Sequence, residues 1–136
     1  MVPLILASKT IAELRAAARK TPSIEICGLI TRTPQNKDRI FPAENVHPEP
    51  TRAFELCPRA QIDVFKYTRH SGARLLAVYH SHPYGLAVPS SADRAGLGYP
   101  KVHTLIIAPN QPVPYMIRAW RLTSDGFIET PLQSSD

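Results

Sequence analysis

Two imidazoles and a carboxylate stand close together in this 136-residue chain. His80-Ser81-His82-Pro83 is followed by Ser90 and, three residues later, by Asp93. On a strand, residues i and i+2 point to one face, so His80 and His82 are expected to project side by side. Ser90 and Asp93 have capping-box spacing, which puts Asp93 on the first turn of a short helix. The intervening loop is long enough to fold back and carry that carboxylate to the imidazoles. Two nitrogens and one oxygen suit a zinc ion at about 2.0–2.2 Å. Three protein ligands then leave a fourth position for water, as in catalytic rather than structural sites. A single anionic ligand leaves the ion net positive, which acidifies bound water and polarises a carbonyl oxygen. The pattern His-x-His-x7-Ser-x-x-Asp arises in only about four of ten thousand shuffles of this composition, so chance is a poor account of it. The plain alternatives are two exposed or hydrogen-bonded histidines and an ordinary helix cap. The cap is compatible with a ligand role, because capping orients the carboxylate.

These residues need a rigid support, and the flanking sequence provides one. Arg74 to His82 is the strongest strand signal, with Leu75, Leu76, Val78 and Tyr79, and Pro83 closes it. Upstream, Ser8 is positioned to cap a helix to about Lys20, with Ile11, Leu14 and Ala18 on one face. Thr21-Pro22-Ser23 breaks that helix. Ile24 to Thr31 reads as a buried strand, interrupted by Gly28 where another backbone could approach closely. Thr33 to Asp38 is a polar turn. Arg39 to Asn45 and Ala53 to Leu56 read as short strands around the Pro-rich loop from Val46 to Arg52. Pro58 can open a helix in which Ile62, Phe65, Lys66 and Arg69 have helical spacing, and Gly72 ends it. After Pro89, Ser90 caps a short helix that stops near Gly96 or Gly98. Lys101 to Ala108 is an apolar strand. Tyr115 to Leu122 and Phe127 to Thr130 form a hairpin across Thr123 to Gly126. One domain over residues 1–132 is expected, with residues 133–136 fraying. The mixture of helices and strands gives a single α/β (mixed) or α+β domain.

Composition narrows the function classes. With 43% hydrophobic and 20% charged residues, the chain is ordinary globular material, so extended disorder is not expected. A chain of this length buries about two-thirds of its surface without staples, so a bound metal serves chemistry rather than folding. No apolar run reaches the roughly 18 residues of a membrane span, and the run from Val2 to Ala7 is too short for a secretory signal. Cys27 and Cys57 are the two cysteines, and free thiols in a reducing cytoplasm are the expectation. The net charge of +5 raises the question of nucleic acid. The sixteen Lys and Arg are scattered, however, and no basic run reaches five residues, so the charge reads as a solvated surface favouring an acidic partner. Fourteen prolines point to short strands and rigid loops. Zinc-deaminase, Walker-loop and dinucleotide motifs are missing. His47, His70 and His103 stand singly, Cys27 reads as a small buried residue beside Gly28, and Trp120 reads as core.

A carboxylate at Glu25, in an otherwise apolar stretch, is costly to bury unless paired or given a task. The residues alone favour a surface glutamate on an edge strand. The chain as a whole resembles the JAMM (MPN+) zinc metallopeptidases, whose signature is a Glu followed far downstream by His-x-His-Pro, a Ser and an Asp. Glu25-Ile26-Cys27-Gly28-Leu29-Ile30 carries the upstream Glu-x-Cys-Gly context. The match continues through Phe54-Glu55-Leu56, the strand before His80, and Thr104 to Ala108. The resemblance implies a curved mixed sheet flanked by helices, with layering like that of cytidine deaminases. It implies one Zn2+ per chain on His80, His82 and Asp93, a zinc-bound water activated by Glu25 as general base, and Ser90 as a hydrogen-bond donor in the transition state. It also implies hydrolysis of the peptide or isopeptide bond after the C-terminal glycines of a ubiquitin-like protein.

The short Val46–Arg52 loop and the few residues between the Asp93 helix and Val102 are too small for an elaborate ubiquitin clamp. The resemblance is therefore to the short prokaryotic members, which process β-grasp proteins such as sulfur carriers. An extended Gly-Gly tail suits a narrow approach to a metal and an exposed strand edge. The partner expected is a ubiquitin-like or sulfur-carrier protein, with no nucleic acid and no membrane, and a homodimer is compatible with the sequence. The alternative function is a non-catalytic module of the same fold that captures ubiquitin-like tails; the presence of all five signature positions argues against it.

Overall fold

Leu29 and Ile30, like Val78 and Tyr79, are neighbours in sequence that are buried together. In a strand, that requires a sheet covered on both faces. The computed structural model describes residues 2–95 and 101–136 and has this architecture. In chain order the elements are β1 (Leu4–Ala7), α1 (Ser8–Lys20), β2 (Cys27–Arg32), β3 (Asp38–Ala43), α2 (Pro58–Ser71), β4 (Arg74–Ser81), α3 (Ser91–Ala95), β5 (His103–Ile107), α4 (Val113–Met116), β6 (Ile117–Thr123), β7 (Gly126–Thr130) and β8 (Leu132–Ser135). Six strands form a mixed sheet in the order β3-β2-β4-β5-β6-β7. β4 and β5 run parallel, and the other neighbours in that sheet are antiparallel.

Two apolar layers cover the sheet. On one face Leu4 and Leu6 of β1, with Ile11, Leu14 and Ala18 of α1, pack against Ile30, Tyr79, Leu105 and Ile107. On the other, Val64 of α2 packs with Cys27, Leu29, Leu56 and Val78. Each buried Leu, Ile or Val among them contributes about 1.5–3 kcal/mol. β2 and β4 approach closely because Gly28 stands opposite Tyr79. A Cβ at Gly28 would lie 2.5 Å from the tyrosine ring.

The α/β character, the helix after Pro58 and its left-handed stop at Gly72, the capped turn at Ser90 and the final hairpin agree with expectation. Several details do not. Ser8 is the first residue of α1 rather than its cap, with Ala7 at the cap position. The carboxylate of Asp38, from another strand, accepts from Ala7 N–H at 2.8 Å and Thr10 Oγ1 at 3.1 Å. Ala53 to Leu56 makes one isolated bridge, Asn45 with Leu56, rather than a strand. Val64 is the buried residue of α2, while Ile62 and Phe65 are exposed. Tyr115 lies in α4, where Pro112 and Pro114 fix the backbone in a turn before β6 begins at Ile117. Residues 133–136 do not simply fray: Gln133 to Ser135 belong to β8, which pairs in parallel with β1. Gly96 and Gly98 lie outside the described residues.

Candidate metal centre

The site is built by strand register. Cys27 stands opposite His80 in the antiparallel β2–β4 ladder. Beyond the ladder, Ile26 N–H donates to Ser81 Oγ at 2.8 Å, and Ser81 N–H donates to Ile26 O at 3.0 Å. Continuing that alignment by one residue brings Glu25 opposite His82, and period-two alternation puts Glu25, Cys27, His80 and His82 on one face. This is where parallel β4 ends beside β5, with His82 N–H on Ile107 O at 2.8 Å. Open α/β sheets place their ligand sites outside such carboxyl ends. Glu25 itself precedes β2 rather than lying within it, because its backbone turns to the neighbouring loop. Its N–H donates to Pro50 O at 2.8 Å, and its carbonyl accepts from Asn45 Nδ2 at 2.9 Å.

Asp93 arrives by the expected capping box: Ser90 N–H donates to Asp93 Oδ2 at 2.8 Å, and Asp93 N–H donates to Ser90 Oγ at 3.1 Å. His80 Nε2 lies 3.1 Å from His82 Nε2 and 3.1 Å from Asp93 Oδ1, and His82 Nε2 lies 3.1 Å from Asp93 Oδ2. Ligand atoms of Glu25, His80, His82 and Asp93 all fall within 4.8 Å of one another. The structure thus brings four of the five expected residues into one cluster and joins Ser90 to it through Asp93.

These donors suit a divalent ion. Neighbouring ligands of a tetrahedral ion with bonds of about 2.05 Å are roughly 3.3 Å apart, close to the 3.1 Å spacings here. Two imidazoles and a carboxylate are a ligand set for a divalent transition metal, zinc and iron among them. His82 Nδ1 is 2.7 Å from Leu86 O. A carbonyl can only accept, so Nδ1 carries a proton, and in the neutral ring Nε2 presents its lone pair to the cluster, as a metal ligand must. Among the described residues, Glu25 Oε1 is buried with no hydrogen-bond partner, as is His80 Nδ1. Leaving such atoms unpaired is costly, and a cation beside Glu25 offsets that cost.

Titration behaviour follows the same layout. Glu25 is 4% exposed. Burial, with Asp93 adding to it and His82 opposing it, pushes its carboxyl up to about 7. Burial pushes His80 below the ordinary imidazole value, although Asp93 opposes it. For His82 burial acts downward, but hydrogen bonds to Asp93 and Leu86 O and the charges of Asp93 and Glu25 leave it raised. Asp93 goes the other way: burial acts upward, yet the two imidazoles and Ser90 N–H hold it well below the carboxylate range. Two carboxyls in one pocket with pKa values driven apart are the electrostatic signature of distinct roles.

Two supports were not foreseen from sequence. The Asn45 amide has all four hydrogen bonds satisfied: Nδ2 donates to Glu25 O and Ala53 O, and Oδ1 accepts from His47 N–H and Glu55 N–H. It ties Glu25 to the loop that delivers Phe54, whose ring stacks on His80 at 4.2 Å between centroids. An Asn between a strand and a Pro-rich loop carries only a generic turn signal. The remaining candidates stay apart from the cluster's ligand atoms. His103 Nδ1 lies 3.3 Å from Thr130 Oγ1, and His70 is exposed. His47 Nδ1 accepts from Glu49 N–H. Cys27 is buried, its thiol pushed up to about 12 by burial and then by Glu25 and Cys57.

Residues 7–123 match the family described as prokaryotic homologs of the JAB domain. A protein from Thermus thermophilus, named a probable TtuB-protein conjugate cleaving protease, is 45% identical over 56 residues, covering 41% of this chain and 38% of that protein. The match therefore spans well under half of the Thermus protein. A desampylase from Haloferax volcanii is 29% identical over 102 residues, covering 74% of this chain and 73% of that protein. The solution structure of protein DSY2949 from Desulfitobacterium hafniense superposes with a TM-score of 0.82 at 29% identity, covering 97% of this chain and 92% of that one. The Glu, His, His and Asp cluster stands inside the matched span, and the chain belongs to the prokaryotic JAB family, the short form of the JAMM/MPN fold.

Proposed function

We propose that this chain is a zinc-dependent metallopeptidase that hydrolyses the peptide or isopeptide bond after the C-terminal glycines of a ubiquitin-like or sulfur-carrier protein. The observation that carries this reading is the convergence of His80, His82 and Asp93 beside the unpartnered, buried oxygen of Glu25, within a family whose relatives include a protein-conjugate cleaving protease and a desampylase. His80 Nε2, His82 Nε2 and Asp93 are the zinc ligands, one ion per chain. When bound, the ion supplies Lewis acidity, polarising the scissile carbonyl and acidifying water at the site.

The rest belongs to the chain's own groups. Glu25 takes the proton of the attacking water and delivers it to the leaving amine nitrogen, while the hydroxyl oxygen joins the carbonyl carbon as the C–N bond breaks. Burial raises this carboxyl in the metal-free chain, and a cation beside it favours the ionised form, the form that accepts the proton of water. Ser90 Oγ accepts from Asp93 N–H, so its own O–H is free to donate to the carbonyl oxygen as charge develops. Tyr84, 75% exposed, and Leu86 line the loop beside His82 and offer apolar contact to the partner. The two free cysteines suit a reducing cytoplasm, and no helix among the described residues is long and apolar enough to cross a membrane.

The test is mass spectrometry of a ubiquitin-like protein whose Gly-Gly terminus is joined to a lysine-containing peptide. Incubation with the zinc-loaded chain is expected to release the peptide and leave a free Gly-Gly end, and chelation is expected to stop it. Capture of the conjugate without cleavage would identify a binding module instead.

A further inference from the structure

Trp120, which the sequence places in the core, has its indole N–H directed at the loop between the two halves of the metal motif. It lies on β6 and packs against the buried Ala87, Ile106 and Ala108, and its Nε1–H donates to Ala87 O at 2.9 Å. Among the described residues, few groups hold the middle of that loop, residues 83–89. Tyr84 and Leu86 are exposed, and a Cβ at Gly85 would meet nothing within 4 Å. Its backbone is fixed through three carbonyls instead: Pro83 O accepts from Asn110 Nδ2 at 2.8 Å, Leu86 O from His82 Nδ1, and Ala87 O from Trp120.

The order along the chain gives the Trp120 bond its consequence. Leu86 O, one residue before the Trp120 acceptor, sets the His82 tautomer and ring plane. Ser90, three residues after it, opens the capping box that orients Asp93. We infer that Trp120 is a positioning residue whose indole N–H, by clamping Ala87 O, fixes both His82 and Asp93 in the geometry that holds the metal. This rests on the proposed zinc site, but it concerns the support of the ligands' outer partners, Leu86 O and Ser90. Removing such partners commonly changes metal affinity about 10–100-fold, and Trp120, one bond beyond them, is expected at the low end of that range.

The experiment is zinc titration of the metal-free full chain against a chromophoric chelator, with the visible spectrum of the Co2+ form recorded alongside. Trp120→Phe keeps an aromatic ring but loses the donor. Replacement of Trp120 by benzothienylalanine keeps the two-ring shape and substitutes sulfur for the N–H, which separates the hydrogen bond from packing. Both variants are expected to weaken zinc binding about 10-fold or more and to alter the Co2+ bands, with the benzothienylalanine protein melting within a few degrees of wild type. Wild-type affinity in the benzothienylalanine protein would overturn the inference and reduce Trp120 to a packing residue, whatever Trp120→Phe does. Absence of zinc binding by the unmodified chain would overturn the metal site itself, a separate result.

Discussion

Strand β2 has a buried carboxylate at each end of its neighbourhood, and the two are provided for in opposite ways. Asp38, facing Arg32 across the β2–β3 ladder, has a side chain 3% exposed. Its Oδ1 accepts from Arg32 Nε at 3.0 Å and Nη2 at 2.8 Å, and its Oδ2 accepts from Ala7 N–H and Thr10 Oγ1. Glu25 is as deeply buried, yet Oε1 has no partner and its carboxyl is raised to about 7. A carboxylate whose lone pairs are filled holds a fold together. One whose lone pairs are left open inside the protein costs stability and is available for chemistry. Burial alone does not separate the two cases; the partner list does.

Exchanging the carboxylates breaks the comparison most sharply. Glu25→Gln is expected to lower kcat about a hundred- to ten-thousand-fold while zinc content, measured by elemental analysis, stays at one per chain. Asp38→Ala is expected to leave zinc content and kcat near wild type but to cost about 3–5 kcal/mol in denaturant unfolding, because Arg32 is left uncompensated. If Asp38→Ala abolished turnover in the folded protein, or Glu25→Gln left it intact, the division of roles would fail.

The pH dependence of the metal-free chain sharpens the same contrast. Glu25 has an ordinary pKa of 4.5, raised to about 7 on folding, so between these values the native state keeps a proton that the unfolded state has released. Its contribution to stability is fully present below pH 4.5 and lost as pH rises through about 7, at up to about 1.4 kcal/mol per pH unit. The lowered carboxyl of Asp93 has the opposite sign: its contribution is present above the ordinary 3.8 and lost as pH falls below it. Urea melts from pH 4.5 to 7 are expected to show a falling component in wild type that Glu25→Gln lacks; parallel curves would contradict the raised carboxyl. Zinc should abolish this difference by favouring the ionised form. The smallest effect expected is that of Gly28→Ala. It pushes a Cβ against the Tyr79 ring at 2.5 Å and costs about 1–3 kcal/mol in thermal unfolding, with zinc still bound.

What the sequence made legible was local and periodic. His80 and His82 share a face because strands have period two, Asp93 is oriented by a capping box four residues long, and Gly28 marks a close approach. What it hid depends on partners distant along the chain. Glu25 stops short of β2 because Asn45 and Pro50, 20 and 25 residues away, take its backbone groups. The end of the chain is ordered because β8 pairs with β1, a contact between residues about 128 apart that no local pattern announces. Ser8 fails as a cap because Asp38 supplies the acceptor. Trp120 reads as an ordinary apolar residue until the loop that meets its N–H is in place.

The central claim is that one divalent ion sits among His80, His82 and Asp93, with Glu25 beside it but not bound to it. A crystal of the zinc-loaded chain, phased across the zinc absorption edge, measures this directly. The account predicts one anomalous peak bonded to His80 Nε2, His82 Nε2 and an Asp93 oxygen, with the Glu25 carboxylate outside bonding distance. A peak elsewhere, or Glu25 closing the site as a fourth protein ligand, would contradict it.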